Sequence, residues 1–326
     1  MCDIGCGMAV AKISVQENKI NYDQLDETIR KHVPSGFSIR DRAHEFLNQI
    51  NLDELKAPIN KKRAENSIGT LGGGNHFVEA NQSSDGTIYL VIHSGSRNLG
   101  SQVADYYQKL AYDSLINYSG RKTELIAKLK EEGRESEIQE SIQRMSTPKI
   151  NKDLAYLESQ GFQDYIHDMK IAQKYAYLNR LAMIDVIIKQ MNWQMEDQFT
   201  TIHNYIDMEN MILRKGAISA RKGERVIIPL NMRDGSIIAF GKGNDDWNQS
   251  APHGAGRLMS RNKARNQISL EDFERSMKGV WSTSVKHSTL DESPFAYKPM
   301  EEIIKHTKDT IEIAEIIKPL YNFKAN

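Results

Sequence analysis

The chain has 326 residues, a formal net charge of zero, 39% hydrophobic residues and 26% charged residues. This is the composition of an ordinary globular protein, and the balanced charge argues against a protein that binds polyanions over its whole surface. No stretch approaches the roughly 18–20 apolar residues that a membrane span requires. The two cysteines, Cys2 and Cys6, are too few for a secreted disulfide scaffold and, without an export signal, favour a reducing cytoplasm.

The pattern of apolar residues predicts, in chain order, a strand over residues 8–16, a helix over 21–33 and a second helix over 38–50. The glycine-rich run IGTLGGGNHFVEA then leads into strand-like residues. The run TIYLVIHSGSR is apolar and rich in β-branched residues, so it predicts a buried strand with His93 at its end. We expect a helix over 100–115 to follow it.

The second half of the chain begins with a segment of different character. Residues 119–160 are dense in charge and helix formers, which predicts a solvent-exposed helical excursion. Apolar residues spaced by three and four over 178–191 predict a long helix, and residues 199–241 are rich in strand patterns. A final helix is expected over 300–317. Because the order of elements is mixed, we predict a single α+β domain over 1–326.

Four of the nine histidines share one kind of surroundings. His76, His93, His203 and His253 each lie at a strand end or in a glycine-rich turn, and loops positioned by a rigid sheet often carry sites. Any one of them alone is more simply a structural histidine. Four of the same kind, together with the stretch CDIGC, favour a shared site.

A carboxylate and a thiolate accompany these histidines. Asp3 and Cys6 bracket the turn DIGC, so both side chains could face one centre. Imidazole suits zinc, manganese, iron and nickel, and a hard carboxylate leaves room for manganese. The spacing does not match the close C-x-x-C pairs of structural zinc sites. It is typical of a catalytic site, in which two ions could share the thiolate.

Glycine-rich turns and basic residues adjoin the histidines. The turns LGGGNH and HGAGR let backbone N–H groups approach an anion. The neighbouring basic residues are Arg97, Arg214, Lys215, Arg257, Arg261 and Arg265. They form either a solvated basic surface or a groove for nucleic-acid phosphates.

Seven motifs occur in one order along the chain: CDIGCGM, LGGGNHFVEA, VIHSGSRNLG, IHNYID, RKGA, PHGAGRLMSR and DESPFAYKP. In this order they resemble the RtcB family of RNA-splicing ligases. The resemblance implies an α+β domain with metal ions deep in a cleft at the sheet. It also implies a GTP- and manganese-dependent ligase, active in RNA repair or tRNA splicing, that joins RNA 3′-phosphate or 2′,3′-cyclic phosphate ends to 5′-hydroxyl ends. We expect a monomer in the cytoplasm.

The resemblance also assigns roles to residues. It implies that His253 is the nucleophile that becomes guanylylated, and that Glu79 contacts the guanine edge. The implied ligands of two Mn²⁺ ions are Asp3, Cys6, His76, His93 and His203. The implied nucleotide-binding residues are Asn75, Glu79, Asn231, Ser236, His253, Gly254, Ala255, Gly256, Arg257, Tyr297 and Lys324. The implied RNA or phosphate contacts are Arg97, Arg214, Lys215 and Arg261.

Two alternatives to a ligase stay open from the sequence. Family members carry an upstream segment with a "DxHxG"-like motif that has no counterpart in this sequence. If that segment supplies strands or an active-site acid, ligation would be weakened, and the chain would be a relative that binds metal, guanylate or RNA ends without joining them. A metal site that activates water could instead serve a phosphoesterase that only opens cyclic phosphates.

Overall fold

The structure, a computed structural model, describes residues 3–145 and 151–324. The helices are α1 (Tyr22–His32), α2 (Lys61–Ser67), α3 (Arg97–Ile116), α4 (Tyr118–Glu131), α5 (Ile138–Arg144), α6 (Ser159–Met191), α7 (Arg261–Gln267), α8 (Leu270–Ser276) and α9 (Met300–Thr307). The strands are β1 (Gly7–Ile13), β2 (Phe77–Gln82), β3 (Ile88–Ser94), β4 (Met195–Ile202), β5 (Tyr205–Asp207), β6 (Ile212–Arg214), β7 (Ala217–Ser219), β8 (Arg225–Asn231), β9 (Gly235–Gly241), β10 (Ser250–Pro252) and β11 (Ile311–Lys324). The predicted α+β class is confirmed.

One large antiparallel sheet dominates the fold. Its seven strands run in the order β4–β1–β3–β2–β11–β9–β8, and the two edge strands approach each other. Arg225 of β8 forms an ion pair with Asp197 of β4, and its guanidinium lies 4.6 Å from the ring centroid of Phe199, also in β4. The sheet is therefore strongly curled and has a concave interior.

The two faces of this sheet bury different sets of side chains, because successive residues of a strand point to opposite faces. In β3, Leu90 and Ile92 pack with residues of α1 and α6 on the convex face. Val91 packs inside the curl, in a cluster that includes Ile317 of β11. His93, two residues beyond Val91, therefore faces the concave side.

The long helix α6 covers the convex face and also packs along α3. The strands and helices predicted over 8–16, 21–33 and 178–191 are confirmed. Within the charged segment 119–160, α4 and α5 form and are largely exposed, and residues 146–150 lie outside the described part. None of the described helices combines the length and apolar character needed to cross a membrane.

The helix predicted over 38–50 is wrong, because only a single turn of 3₁₀-helix forms there, at Glu45–Gln49. The backbone N–H of Arg40 donates to the carbonyl of Asn66 at 2.9 Å, and the Arg40 guanidinium donates to the carbonyl of His32 at 2.9 Å. The first half of the segment therefore hydrogen-bonds to neighbouring elements rather than to itself. Tertiary contacts override the helical pattern of the sequence.

The helix predicted over 300–317 is also wrong, because α9 ends at Thr307 and the chain continues as β11. β11 connects β9 to β2, since its first half, Ile311–Ile317, pairs with β9 and its second half, Lys318–Lys324, pairs with β2. The isoleucines of this segment suit a strand as well as a helix. A register shift between Pro319 and Tyr321 lets this central strand accommodate a proline, which has no N–H to donate.

Candidate active site

The candidate site lies where four strand ends meet at one end of the curled sheet. Cys6 directly precedes β1, His203 directly follows β4, His93 is the penultimate residue of β3, and His76 directly precedes β2. Because β4, β1, β3 and β2 are consecutive antiparallel neighbours, the start of β1 lies beside the ends of β3 and β4 and the start of β2. The sheet topology thus brings four dispersed residues together.

The buried thiol of Cys6 is the centre of this cluster. Its Sγ lies 3.5 Å from Nε2 of His76 and 3.3 Å from Nε2 of His93. Asp3 Oδ2 lies 3.4 Å from the same His76 nitrogen. Two groups of ligand atoms, Cys6–His93–His203 and Asp3–Cys6–His76, are each compact enough to hold a cation, and Cys6 belongs to both.

The second ring nitrogens of His76 and His93 are fixed by backbone carbonyls. Nδ1 of His76 lies 2.8 Å from the carbonyl of Leu71, and Nδ1 of His93 lies 3.2 Å from the carbonyl of Asn75. A carbonyl can only accept, so both Nδ1 atoms carry a proton, and Nε2 is the nitrogen of each ring that faces Cys6. Metal-ligating histidines are oriented in the same way.

His203 fits the same picture. Its Nδ1 is buried and has no hydrogen-bond partner among the residues that the structure describes. Burial lowers the pKa of His203 to about 3, and burial also holds the pKa of His93 well below its usual value. Both rings are therefore neutral, which is the form that binds a metal ion. The donor set of one thiol, one carboxylate and three imidazoles suits a divalent transition metal such as manganese or zinc.

Asp3 is held by the turn that follows β3. The backbone N–H and the hydroxyl of Ser96 donate to its Oδ1 at 3.0 and 3.1 Å. Burial opposes ionisation, but His76 and Ser96 overcome it and lower the pKa of Asp3. Glycine is required at position 95, since a Cβ there would lie 2.3 Å from Asp3 Oδ2. The motif HSGSR thus contains both His93 and the serine, Ser96, that binds the Asp3 carboxylate.

Two adjacent residues of α6, Asn179 and Arg180, tie the ligand-bearing turns together. Arg180 Nη1 donates to the carbonyls of Gly5 and Ser94, both at 2.9 Å, and so joins the DIGC turn to the residue after His93. Asn179 Oδ1 accepts from the N–H of Gly69 at 2.8 Å. Burial lowers the pKa of Arg180 to about 10, but the guanidinium stays charged at neutral pH. A positive charge thus lies beneath the thiol and carboxylate ligands.

His253 lies beside the cluster, with its ring centroid 4.6 Å from that of His203. Its Nδ1 lies 2.6 Å from the carbonyl of Gly216, which can only accept, so Nδ1 carries the proton. Burial lowers the pKa of His253, although the contact with Gly216 acts in the opposite direction. The ring is therefore neutral near pH 7, and Nε2 is the nitrogen whose lone pair can attack an electrophile.

A cavity of about 290 Å³ opens next to His253. The concave face of the sheet forms one wall, and the turn HGAGR forms another. The predicted nucleotide-binding residues that line it are Asn75, Glu79, Asn231, His253, Gly254, Ala255, Gly256, Arg257, Tyr297 and Lys324. Ser236, the remaining one, is buried next to the lining residue Gly235, and its hydroxyl has no partner among the described residues.

Glu79 lies in this cavity on β2. Asn322 Nδ2 donates to its Oε1 at 2.6 Å, and Asn81 Nδ2 donates to its Oε2 at 3.3 Å. Burial raises the pKa of Glu79 to about 7, although Lys324 and these amides act in the opposite direction. The carboxyl group is thus poised between its two protonation states at physiological pH.

A model of one protein family, described as tRNA-splicing ligase RtcB, matches residues 50–325. The chain belongs to the RtcB family. The RNA-splicing ligase RtcB of Escherichia coli K12 is 29% identical, over 95% of this chain and 79% of that protein. The tRNA-splicing ligase RtcB of Nanoarchaeum equitans is 25% identical, over 94% of this chain and 69% of that protein. The tRNA-splicing ligase RtcB of Aeropyrum pernix is 24% identical, over 92% of this chain and 75% of that protein.

The basic residues predicted from the RtcB resemblance differ in their placement. Arg261 lines the cavity, Lys215 is exposed next to Gly216, and Arg97 packs against the glycine-rich turn before His76. Arg214 is buried, however, and its guanidinium pairs with Asp207 at 2.9 Å. Its donors are used inside the protein, so the structure does not support the phosphate contact predicted for Arg214.

The three regularly spaced arginines do not form a free basic face. Arg257 precedes α7, and Arg261 and Arg265 lie on it, yet all three point toward Asp291 and Glu292. Glu292 also accepts from Tyr297 and Lys324, each at 2.8 Å. No local pattern distinguishes Glu292 in the sequence, although it lies in the motif DESPFAYKP. It neutralises cations that line the cavity and fixes their positions.

Arg180→Met tests the tie between the ligand-bearing turns. We expect the free energy of unfolding to fall by about 2–5 kcal/mol, because two buried carbonyls lose their donor and the nearby Asp3 and Cys6 lose a compensating charge. We also expect weaker Mn²⁺ binding. Urea unfolding and Mn²⁺ titration by isothermal calorimetry measure the two effects. Lys174→Met, at an exposed position of the same helix, is the control, and equal behaviour of the two variants would contradict the assignment.

Proposed function

We propose that this chain is a GTP- and manganese-dependent RNA ligase. It would join RNA ends that carry a 3′-phosphate or 2′,3′-cyclic phosphate to ends that carry a 5′-hydroxyl, in RNA repair or tRNA splicing. One observation carries the proposal: a neutral histidine, His253, stands between a cavity of about 290 Å³ and a cluster of side chains that could hold a metal ion. The relatives named RNA-splicing or tRNA-splicing ligases support the reaction class.

The first step of the proposed reaction is guanylylation of His253. Nε2 attacks the α-phosphorus of GTP, a P–N bond forms, and the bond to the bridging oxygen breaks so that pyrophosphate leaves. The proton on Nδ1 is held by the carbonyl of Gly216, which stabilises the positive charge that the ring gains on bonding to phosphorus. Bound Mn²⁺ would neutralise charge on the phosphate oxygens. Asp3, Cys6, His76, His93 and His203 are the residues that would hold it.

The second and third steps transfer the guanylate and join the RNA. An oxygen of the RNA 3′-phosphate attacks the phosphorus on His253, and the P–N bond breaks, so that the neutral imidazole is restored. The 5′-hydroxyl of the other RNA then attacks the phosphorus of the activated 3′-phosphate, the bond to the bridging oxygen breaks, and GMP leaves, while the hydroxyl proton passes to GMP or to water. Arg97 lies next to Gly72 near His76, and Lys215 is the neighbour in sequence of Gly216, whose carbonyl contacts His253; both would hold phosphate charge during the transfers.

Selection of guanine is proposed for Glu79. An ionised carboxylate can accept two parallel N–H bonds from the N1 and N2 edge of guanine, whereas adenine offers no such pair. The amide donors of Asn81 and Asn322 fix the orientation of the carboxyl group from behind. Further guanylate contacts are proposed for the other cavity residues, with Tyr297 and Lys324 held in place by Glu292.

The proposal includes a cytoplasmic location and a monomeric chain. A reducing compartment keeps Cys6 available as a thiolate ligand rather than oxidised. All residues proposed for catalysis come from one chain, so the site needs no residue from a second copy.

His253→Ala tests the proposed nucleophile. The wild-type chain incubated with Mn²⁺ and GTP labelled at the α-phosphate is expected to acquire covalent, acid-labile label, and His253→Ala is expected to acquire none. His306→Ala, at an exposed histidine of α9, is the control and should label like the wild type. Absence of label on the wild type would overturn the proposal.

A ligation assay separates the proposal from its two alternatives. RNA with a 3′-phosphate and RNA with a 5′-hydroxyl should give one joined product in the presence of GTP and Mn²⁺. Labelling of His253 without joining would point to a relative that binds guanylate but does not ligate. Opening of a 2′,3′-cyclic phosphate without labelling or joining would point to a phosphoesterase.

Glu79→Gln tests guanine selection through its dependence on pH. Because the pKa of Glu79 is raised to about 7, the accepting carboxylate is depleted at pH 6 and prevails at pH 8. The ratio of GTP affinity to ATP affinity should therefore rise about tenfold over this range, since the ionised fraction of a group with a pKa of about 7 rises about tenfold between pH 6 and pH 8. Both nucleotides carry the same titrating phosphates, so their contribution cancels in the ratio. In a His253→Ala background, Glu79→Gln should give a low ratio that does not change with pH, and a persistent pH dependence would contradict the assignment.

A further inference from the structure

The side chain of Phe37 is 94% exposed, in the loop that follows α1. Full exposure of a phenylalanine forgoes about 1.5–3 kcal/mol of burial energy. Its backbone is nevertheless firmly held. The N–H of Gly36 donates to the carbonyl of Gly72 at 2.8 Å, and the N–H of Ser38 donates to the carbonyl of Ser35 at 3.2 Å. The loop therefore presents an aromatic ring to solvent from an ordered position.

Two arginines donate hydrogen bonds to the backbone carbonyls of Gly36 and Phe37. Arg97 Nη2 donates to the carbonyl of Gly36, and Arg63 Nη2 donates to the carbonyl of Phe37, both at 3.0 Å. Within residues 3–145 and 151–324, neither guanidinium forms an ion pair with a carboxylate. Burial lowers the pKa of Arg97, and the Asp3 carboxylate acts in the opposite direction. The base of the loop thus carries two guanidinium groups that no carboxylate of the described residues pairs with directly.

This loop is continuous with the metal-binding cluster. Arg97 packs against Gly72, where a Cβ would lie 1.6 Å from Arg97 Nη1 and 2.9 Å from Nδ1 of His76. The guanidinium of Arg97 therefore stands beside a proposed metal ligand on one side and holds the carbonyl of Gly36 on the other. Phe37 is the next residue.

We propose that Phe37 is a stacking platform for an unpaired base of the RNA substrate, with Arg63 and Arg97 binding the adjacent backbone phosphates. The inference rests on the proposed ligase function and adds a base-binding position to it. An aromatic ring next to arginines is the arrangement that binds single-stranded nucleic acid without regard to sequence, because every base offers a π-face. A ligase that joins many RNA ends needs this tolerance.

The first test measures binding of a fluorescein-labelled single-stranded RNA with a 3′-phosphate, in the presence of Mn²⁺ and without GTP, by fluorescence anisotropy. Phe37→Ala should raise the Kd by about 5- to 150-fold, the range that corresponds to loss of one base–aromatic stack. Phe37→Trp should bind like the wild type, because it keeps an aromatic face. Since the side chain is exposed, these substitutions leave the core intact.

Phe240→Ala is the matched control. Phe240 is a partly exposed phenylalanine on β9, five residues along the strand from the cavity residue Gly235, a separation of roughly 17 Å. This variant should bind RNA like the wild type. Equal affinity of Phe37→Ala and the wild type, or equal losses in Phe37→Ala and Phe240→Ala, would overturn the inference, as would failure of the wild type to bind the RNA.

A series of RNAs with one abasic nucleotide each identifies the stacked base. In the wild type, an abasic residue at one position near the 3′-phosphate should weaken binding as much as Phe37→Ala weakens binding of the intact RNA. In Phe37→Ala, the same abasic residue should have no further effect, because the two changes remove one interaction. Additive losses at every position would show that Phe37 contacts something other than a base.

Labelling of His253 separates a failure of the stacking proposal from a failure of the proposed ligase function. Phe37→Ala should be labelled by GTP as fast as the wild type, since Phe37 lies outside the nucleotide cavity. If the wild type is labelled and ligates but Phe37→Ala binds RNA normally, the stacking platform is refuted and the ligase function stands. If the wild type neither labels nor ligates, the proposed function itself fails.

Discussion

The buried thiol of Cys6 is the point on which the candidate site depends. It lies within 3.5 Å of two histidine nitrogens, and it belongs to both groups of side chains that could hold a cation. Burial, together with Asp3, raises the pKa of the Cys6 thiol well above its usual value. A cluster of such groups is costly to bury unless cations compensate it. We infer that the curled sheet tolerates this polar interior because it is built to be filled by metal ions.

Two features of the fold bring these ligands together and hold them in place. The antiparallel order β4–β1–β3–β2 places four strand ends side by side, so that ligands from distant parts of the sequence converge without a long loop. Helix α6 then fixes the turns from the convex side, because the side chains of Asn179 and Arg180 form hydrogen bonds with backbone atoms of these turns. Arg180 donates to the backbone carbonyls of Gly5 and Ser94. The positions of the neighbouring ligands are therefore set by contacts with the backbone.

The sequence predicted the parts of this site that have a local pattern. His93 was recognisable from the apolar run before it, and the glycine-rich turns indicated close approach of the backbone to a ligand. Arg180 was not recognisable, because a single arginine in an apolar helical pattern has no distinctive spacing and its partners are backbone atoms. The charge of Arg214 suggested a phosphate contact, but its partner Asp207 became visible only when β5 and β6 paired. Residues 311–317 have a local pattern that also suits a helix, and they form a strand because they pair with β9.

Because Cys6 belongs to both groups of ligand atoms, electron paramagnetic resonance of the Mn²⁺-loaded chain tests most directly whether two Mn²⁺ ions share its thiolate. A shared thiolate predicts a spectrum of two exchange-coupled ions, and Cys6→Ser should abolish the coupling because serine is not deprotonated as readily as cysteine. Chemical analysis of bound manganese gives the stoichiometry of the same samples. Two uncoupled ions in the wild type, or coupling that survives in Cys6→Ser, would contradict the account.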